Sequence, residues 1–170
     1  MASEQFSIFA FSDNQYRITK PIRLIEFFAE IGAQSKALEI LGANFESYKI
    51  AERSKESIKA YTYMHHYDEI KKCTSKDIIN LKGISRDYNS PMTDDQLNRI
   101  KDDEKILLSN CIKISHNLVD ISSVKGEDLN IVDTDKYEYI MTYSFPCQDL
   151  SLAGKLSGMK ENSGTRSSLL

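Results

Sequence analysis

"IRLIEFFAEIGAQSKALEILGANFESYKIAE", residues 22–52, decides the fold. Its first eight residues, "IRLIEFFA", form a strongly apolar run that suits a strand covered on both faces, as in a parallel sheet. "EIGAQSKALEILG" then turns through Gly32 into a helix, with Ala33, Ala37, Leu38 and Leu41 as its expected inner face and Gly42 as its stop. "FESYKIAE" (45–52) reads as a second strand, and "SKESIKAYTYMHH" as a second helix with Ile58 and Tyr61 turned inward. Strand, helix, strand and helix at this spacing predict a layered α/β sheet built from βαβ units.

Outward from this unit the pattern changes. Residues 1–20 are mixed and read as a loosely ordered arm, and residues 21–170 as one domain. Between 68 and 115 the chain is read as a helical insertion or elaborated crossover. Its stretch "KGISRDYNSPMTDDQ" is polar and turn-rich, with no domain-scale core of its own. Thr93 and Gln96 make a capping-box pattern, which predicts a helix carrying Leu97, Ile100, Leu107 and Cys111. The sheet is expected to resume with "NLVDISSV" (117–124) and "YEYIMTYSF" (137–145).

Composition narrows the function classes. The chain has 170 residues, 41% hydrophobic and 28% charged, enough for one domain with a real core. No apolar run approaches the ~20 residues of a membrane span. The first 20 residues have no basic segment leading into an apolar core, so a signal peptide is not expected. Three separated cysteines, Cys73, Cys111 and Cys147, offer no disulfide framework and point to a reducing, cytoplasmic setting. The net charge of −3 gives no bulk attraction to nucleic acid, so any nucleic-acid binding must rest on a local site.

In open α/β sheets, ligands bind at the carboxyl ends of the strands. The first such end, "FFAEIGAQ", carries one glycine in its turn, where N–H groups at a helix start can meet a ligand carboxylate or phosphate. The second ends in Glu52, 20 residues after Gly32, where an acidic side chain commonly accepts from a ribose. The third ends in "VDI", with Asp120 able to meet an adenine amino group. Together they suggest a nucleoside-type cofactor, against the plainer reading of ordinary strand-to-helix turns. The fourth end is the triplet Pro146-Cys147-Gln148, a lone cysteine on the loop after a strand. A structural cysteine packs more naturally inside the strand, and a thiolate favoured by its surroundings is a strong nucleophile. His65-His66 resembles a metal pair only superficially, because adjacent helical residues point apart and no further ligands stand at zinc spacing. Asp102, Asp103 and Glu104 read as a solvated helix face.

"SFPCQDLSLAGKLSGM" resembles the catalytic motif of the DNA (cytosine-5)-methyltransferases, and the resemblance covers almost the whole chain after residue 20. "IEFFAEIGAQSKALE" is similar to that family's cofactor loop, which reads Phe-x-Gly-x-Gly. "IAERSKESIKAY" is similar to its ribose-binding motif, "DI" at 120–121 to its adenine-contacting one, and "NSGTRSSLL" to the opening of its next motif.

The resemblance implies a partial Rossmann-like methyltransferase sheet and S-adenosylmethionine as cofactor. It implies cofactor contacts from Phe28, Ala29, Ile31, Gly32, Glu52, Asp120 and Ile121. It also implies that Cys147 attacks C6 of a cytosine flipped out of DNA, so that C5 takes the methyl group, with Pro146 and Gln148 shaping the loop. Glu30 stands where the family has glycine, Arg53 where it has an aromatic or apolar residue near the adenine, and Ser54 where it has aspartate.

The family's later motifs lie beyond Leu170. The expectation is therefore the amino-terminal part of a phage- or restriction-type enzyme, inactive alone or completed by a second polypeptide. The alternative is a non-catalytic descendant that binds or regulates, for example in phage counter-defence. An uncovered sheet edge along Tyr139–Tyr143 is expected to drive self-association or partner binding.

Overall fold

The computed structural model describes residues 18–86 and 90–144. The elements run β1 (Ile22–Phe27), α1 (Ala33–Ile40), β2 (Phe45–Ala51), α2 (Lys55–His65), α3 (Tyr67–Lys72), α4 (Asp94–Asn98), α5 (Asp102–Ile114) and β3 (Glu138–Tyr143). The three strands form one parallel sheet in the order β2-β1-β3. This is a mixed α/β fold with a small parallel sheet, consistent with a methyltransferase-like architecture.

The register decides where a site can form. Phe27 at the end of β1 lies beside Ala51 on one side and Tyr143 on the other. All three strands therefore end along one edge, where the rings of Phe28 and Tyr143 meet edge to face at 5.3 Å. At the opposite edge Arg23 binds the strands together. Its Nε donates to Glu46 at 2.6 Å, its Nη1 to the Tyr139 hydroxyl at 2.9 Å, and its guanidinium lies 3.7 Å from the centre of the Tyr137 ring.

Leu24, Ile25 and Ile50 are fully buried in the sheet. The larger core lies among α2, α3, α5 and the loops between α3 and α4, and joins Ile58, Ile70, Leu81, Ile84, Met92, Ile100, Leu108, Cys111 and Ile112. The turn-rich stretch after Lys82 thus contributes Ile84 and Met92 to a shared core, which its polar composition concealed. Lys55 Nζ reaches Glu104 Oε1 at 2.6 Å and ties α2 to α5, so Glu104 is a helix-pairing residue and not simply solvated.

Three further expectations need correction. The inner face of α1 is out of phase: Ala33 and Ala37 are exposed, Leu41 is 77% exposed, Leu38 is half-buried, and the buried residue is Ser35. Ser35 turns inward because its N–H and hydroxyl both reach the buried carboxylate of Glu26. The capping box of Thr93 and Gln96 is present, but the helix it starts stops at Asn98. A separate helix begins after Lys101, where Asp102, Asp103 and Glu104 suit the positive end of its dipole.

The strand expected at 117–124 is reduced to a bridge between Asn117 and Ile50, with Leu118 N–H donating to Ile50 at 2.8 Å. Val119 has φ 62°, and the Asp120 N–H turns back to Leu118 at 2.8 Å, which ends the ladder in a tight turn. A 3-10 turn, Ile121–Ser123, follows. Gly42 does stop α1, at φ 66°, and Ile58 and Tyr61 are both fully buried as expected. No helix among the described residues is long and apolar enough to cross a membrane.

Candidate functional site

The loop after β1 alternates handedness. Phe28 has φ 54°, Glu30 φ 48° and Gly32 φ 81°, so three of five residues occupy the left-handed region. At Gly32 this requires glycine for a second reason. A Cβ there would collide with Nε2 of His65 and lie 2.7 Å from the Tyr61 ring, so the glycine lets α2 approach the loop closely. His65 in turn reaches the Ile31 carbonyl at 2.9 Å. Its neighbour His66 contacts Glu69 at 3.0 Å, so the two imidazoles serve different partners. No group of three or more metal-ligating side chains occurs among the described residues.

Glu52 organises the site. It follows the last residue of β2, is only 4% exposed, and accepts the Glu30 N–H at 2.9 Å on one oxygen and the Ser54 N–H at 2.6 Å on the other. Its carboxylate therefore joins the β1 loop to the start of α2. Burial pushes the Glu52 carboxyl above its ordinary value, against the opposing pull of those N–H groups. Asn117 completes the frame: its Oδ1 accepts the N–H of Glu52 at 3.0 Å and of Val119 at 2.8 Å, while its Nδ2 donates to the Glu52 carbonyl at 2.9 Å. The side chain of Asn117 thus stands in for the strand rung that the backbone does not make.

Beyond Asn117 lies Asp120, whose Oδ1 accepts the Ser122 N–H at 3.2 Å and the Ser122 hydroxyl at 2.8 Å. Its Oδ2 lies 4.0 Å from Nη2 of Arg53, outside hydrogen-bond range. The structure therefore brings together Phe28, Ala29, Ile31, Gly32, Glu52 and Asp120 around three adjoining chain ends, with Ile121 beginning the following turn. Pro146, Cys147 and Gln148 lie outside the described residues, and β3 ends at the same sheet edge as β1 and β2.

Two residues were missed in the sequence. Glu26, inside the apolar run of β1, is fully buried and accepts from Ser35 and, at 2.7 Å, from the Tyr61 hydroxyl. A carboxylate within an apolar strand was the signal that could have marked it. Asn117 had no such signal, because Glu52, which it ties to the site, lies 65 residues away.

Residues 96–169 match the family model described as C-5 cytosine-specific DNA methylase. The orphan methyltransferase M.SssI of Spiroplasma monobiae is 37% identical over 163 residues, which is 89% of this chain and 41% of that protein. The type II methyltransferase M2.ScrFI of Lactococcus lactis subsp. cremoris is 32% identical over 162 residues, 88% of this chain and again 41% of the relative. The chain thus spans about two-fifths of the length of the curated relatives it matches.

Proposed function

We propose, from the homology of this chain to the C-5 cytosine-specific DNA methylases, that it supplies the cofactor-binding and nucleophile-bearing portion of an enzyme that methylates C5 of cytosine in DNA. The observation that carries this reading is the Glu52 carboxylate, which draws the β1 loop and the start of α2 together at the ends of the strands.

S-adenosylmethionine, when bound, supplies a methyl group carried on a cationic sulfur. Phe28, Ala29, Ile31 and Gly32 would line its amino-acid part, Glu52 its ribose, and Asp120 and Ile121 its adenine. The residues present fit such a group. Glu52 keeps lone pairs beyond the two N–H groups it accepts. Among the described residues, Arg53 Nε is buried with no hydrogen-bond partner.

Cys147, as thiolate, would add to C6 of a cytosine turned out of the duplex, since C6 is unreachable within the stack. The addition makes C5 nucleophilic. Once C5 is methylated, loss of its proton and expulsion of the thiolate restore both the aromatic ring and the free cysteine. Pro146 and Gln148 would hold the loop against the base. The chemistry belongs to these residues acting with the rest of a relative-sized protein, whether that is continuous with them or carried on a second polypeptide. Because β3 is an edge strand among the described residues, with Met141 49% exposed, the Tyr139–Tyr143 segment is the proposed surface for that partner or for a second copy. The proposed setting is the cytoplasm, where the thiol stays reduced.

The test is transfer of labelled methyl groups to duplex DNA by the 170-residue chain, alone and supplemented with the remaining portion of a relative. Transfer is expected only with the supplement, and should be lost in Cys147→Ser. Transfer that survives Cys147→Ser would overturn the reading. A second reading, the non-catalytic descendant, draws support from Glu30, whose left-handed backbone and added charge stand at the cofactor loop. It predicts no transfer in either sample.

A further inference from the structure

We propose that His65, at the end of α2, is a positioning residue for the loop after β1: its imidazole donates to the Ile31 carbonyl and holds the loop in its binding shape. This role rests on the cofactor reading above and adds to it a brace that touches no ligand. The loop is strained. Phe28 and Glu30, neither of them glycine, stand at φ 54° and 48°, and Gly32 follows at φ 81°. Left-handed residues other than glycine are costly and persist where surrounding contacts over-determine them. Here those contacts include the Phe28 N–H on the Ala51 carbonyl at 2.9 Å, the Gly32 N–H on the Ala29 carbonyl at 2.7 Å, the Glu30 N–H on Glu52 at 2.9 Å, and His65 on Ile31 at 2.9 Å. Two of these come from side chains. Glu52 is assigned to the ribose, which leaves His65 as the side chain that restrains the loop from behind.

A carbonyl can only accept, so Nε2 of His65 carries the proton of this bond. The imidazole is itself seated. Its ring centre lies 4.6 Å from that of Tyr61, which is fully buried and donates to Glu26 at 2.7 Å. Glu26 in turn accepts the Ser35 N–H in the first turn of α1 at 3.1 Å. One buried base thus grips α1 through Ser35 and, through His65, the residue before Gly32. The bare Cα of Gly32 admits the imidazole, since a Cβ there would collide with Nε2. Ile31 is 49% exposed, so water can replace the lost donor and a variant without it keeps its fold. What such a variant loses is restraint. A site whose binding shape is populated in only a fraction of molecules binds more weakly by that fraction.

The probe is S-adenosylhomocysteine, titrated calorimetrically into the wild-type chain, His65→Gln, His65→Phe and His65→Leu, with the fold of each checked by circular dichroism. Glutamine keeps a donor nitrogen the same number of bonds from the backbone as Nε2 but gives up the ring. Phenylalanine and leucine keep an apolar group against Tyr61 and give up the donor. The two donorless variants are expected to bind about three- to tenfold more weakly, the usual worth of one neutral hydrogen bond, and His65→Gln to stay within about twofold of wild type. Wild-type affinity in a folded donorless variant, or a loss in His65→Gln as large as in His65→Phe, would overturn the proposal while leaving the cofactor reading intact. No binding by the wild type would overturn both.

Discussion

The Glu52 carboxylate accepts the backbone N–H of Glu30 at 2.9 Å, joining two residues 22 positions apart and setting the loop on which any ligand of the β1 end must rest. Glu30 makes this bond from φ 48°, a conformation that glycine adopts without strain. Glu30→Gly should therefore leave folding nearly unchanged, because relief of the left-handed strain offsets the greater entropy of glycine in the unfolded chain. If the proposed cofactor site is right, removing the exposed Glu30 charge from the β1 loop should tighten S-adenosylmethionine binding by about 1–3 kcal/mol. Calorimetry giving equal affinities would mean that the Glu30 side chain does not face the ligand.

Gly32 should tolerate nothing larger. Gly32→Ala combines the cost of φ 81° with a collision against His65 and Tyr61, and should lower stability by about 2–4 kcal/mol. Urea unfolding within about 1 kcal/mol of wild type would show that α2 is free to move away from the loop.

Glu52 should give stability a pH dependence of known sign. Burial raises its folded-state value above the ordinary 4.5, so the folded chain holds that proton more tightly than the unfolded one. Its contribution is then fullest below the ordinary value and is lost as pH rises through the raised one. Glutamine cannot titrate. The stability difference between wild type and Glu52→Gln, followed by urea unfolding from about pH 4 to about pH 7, should fall as pH rises. A difference that grows with pH would contradict the assignment.

The buried network under α1 should also be measurable. The Tyr61 hydroxyl lies 2.7 Å from Glu26 and 2.6 Å from the Ser47 hydroxyl, and burial together with the Glu26 charge pushes its ionisation well above the ordinary value of 10.0. Tyr61→Phe removes one donor from a buried carboxylate and should cost about 1–3 kcal/mol, seen as a lower urea midpoint with unchanged slope. An unchanged midpoint would mean that the Ser35 bonds alone satisfy Glu26.

What the sequence disclosed followed the range of the forces involved. β1, β2 and α2 were legible because their signals are local: apolar runs and the inward spacing of Ile58 and Tyr61. The strand at 117–124 was misread because Val119 occupies a positive φ that a β-branched residue rarely adopts, held by the side chain of Asn117. The inner face of α1 was misread because a polar residue, Ser35, is drawn inward by Glu26 nine positions earlier. Of the expected site, the residues from Phe28 to Asp120 converge, whereas the Pro146–Gln148 triplet lies outside the described residues.

The most direct test of the central claim, that these strand ends hold the methyl donor, is calorimetric titration of S-adenosylmethionine into the wild-type chain and into Glu52→Ala. The account predicts saturable binding by the wild type and a loss of about tenfold or more in the variant, whose fold is checked by circular dichroism. Absence of wild-type binding at millimolar ligand, or equal binding by a folded Glu52→Ala, would contradict it.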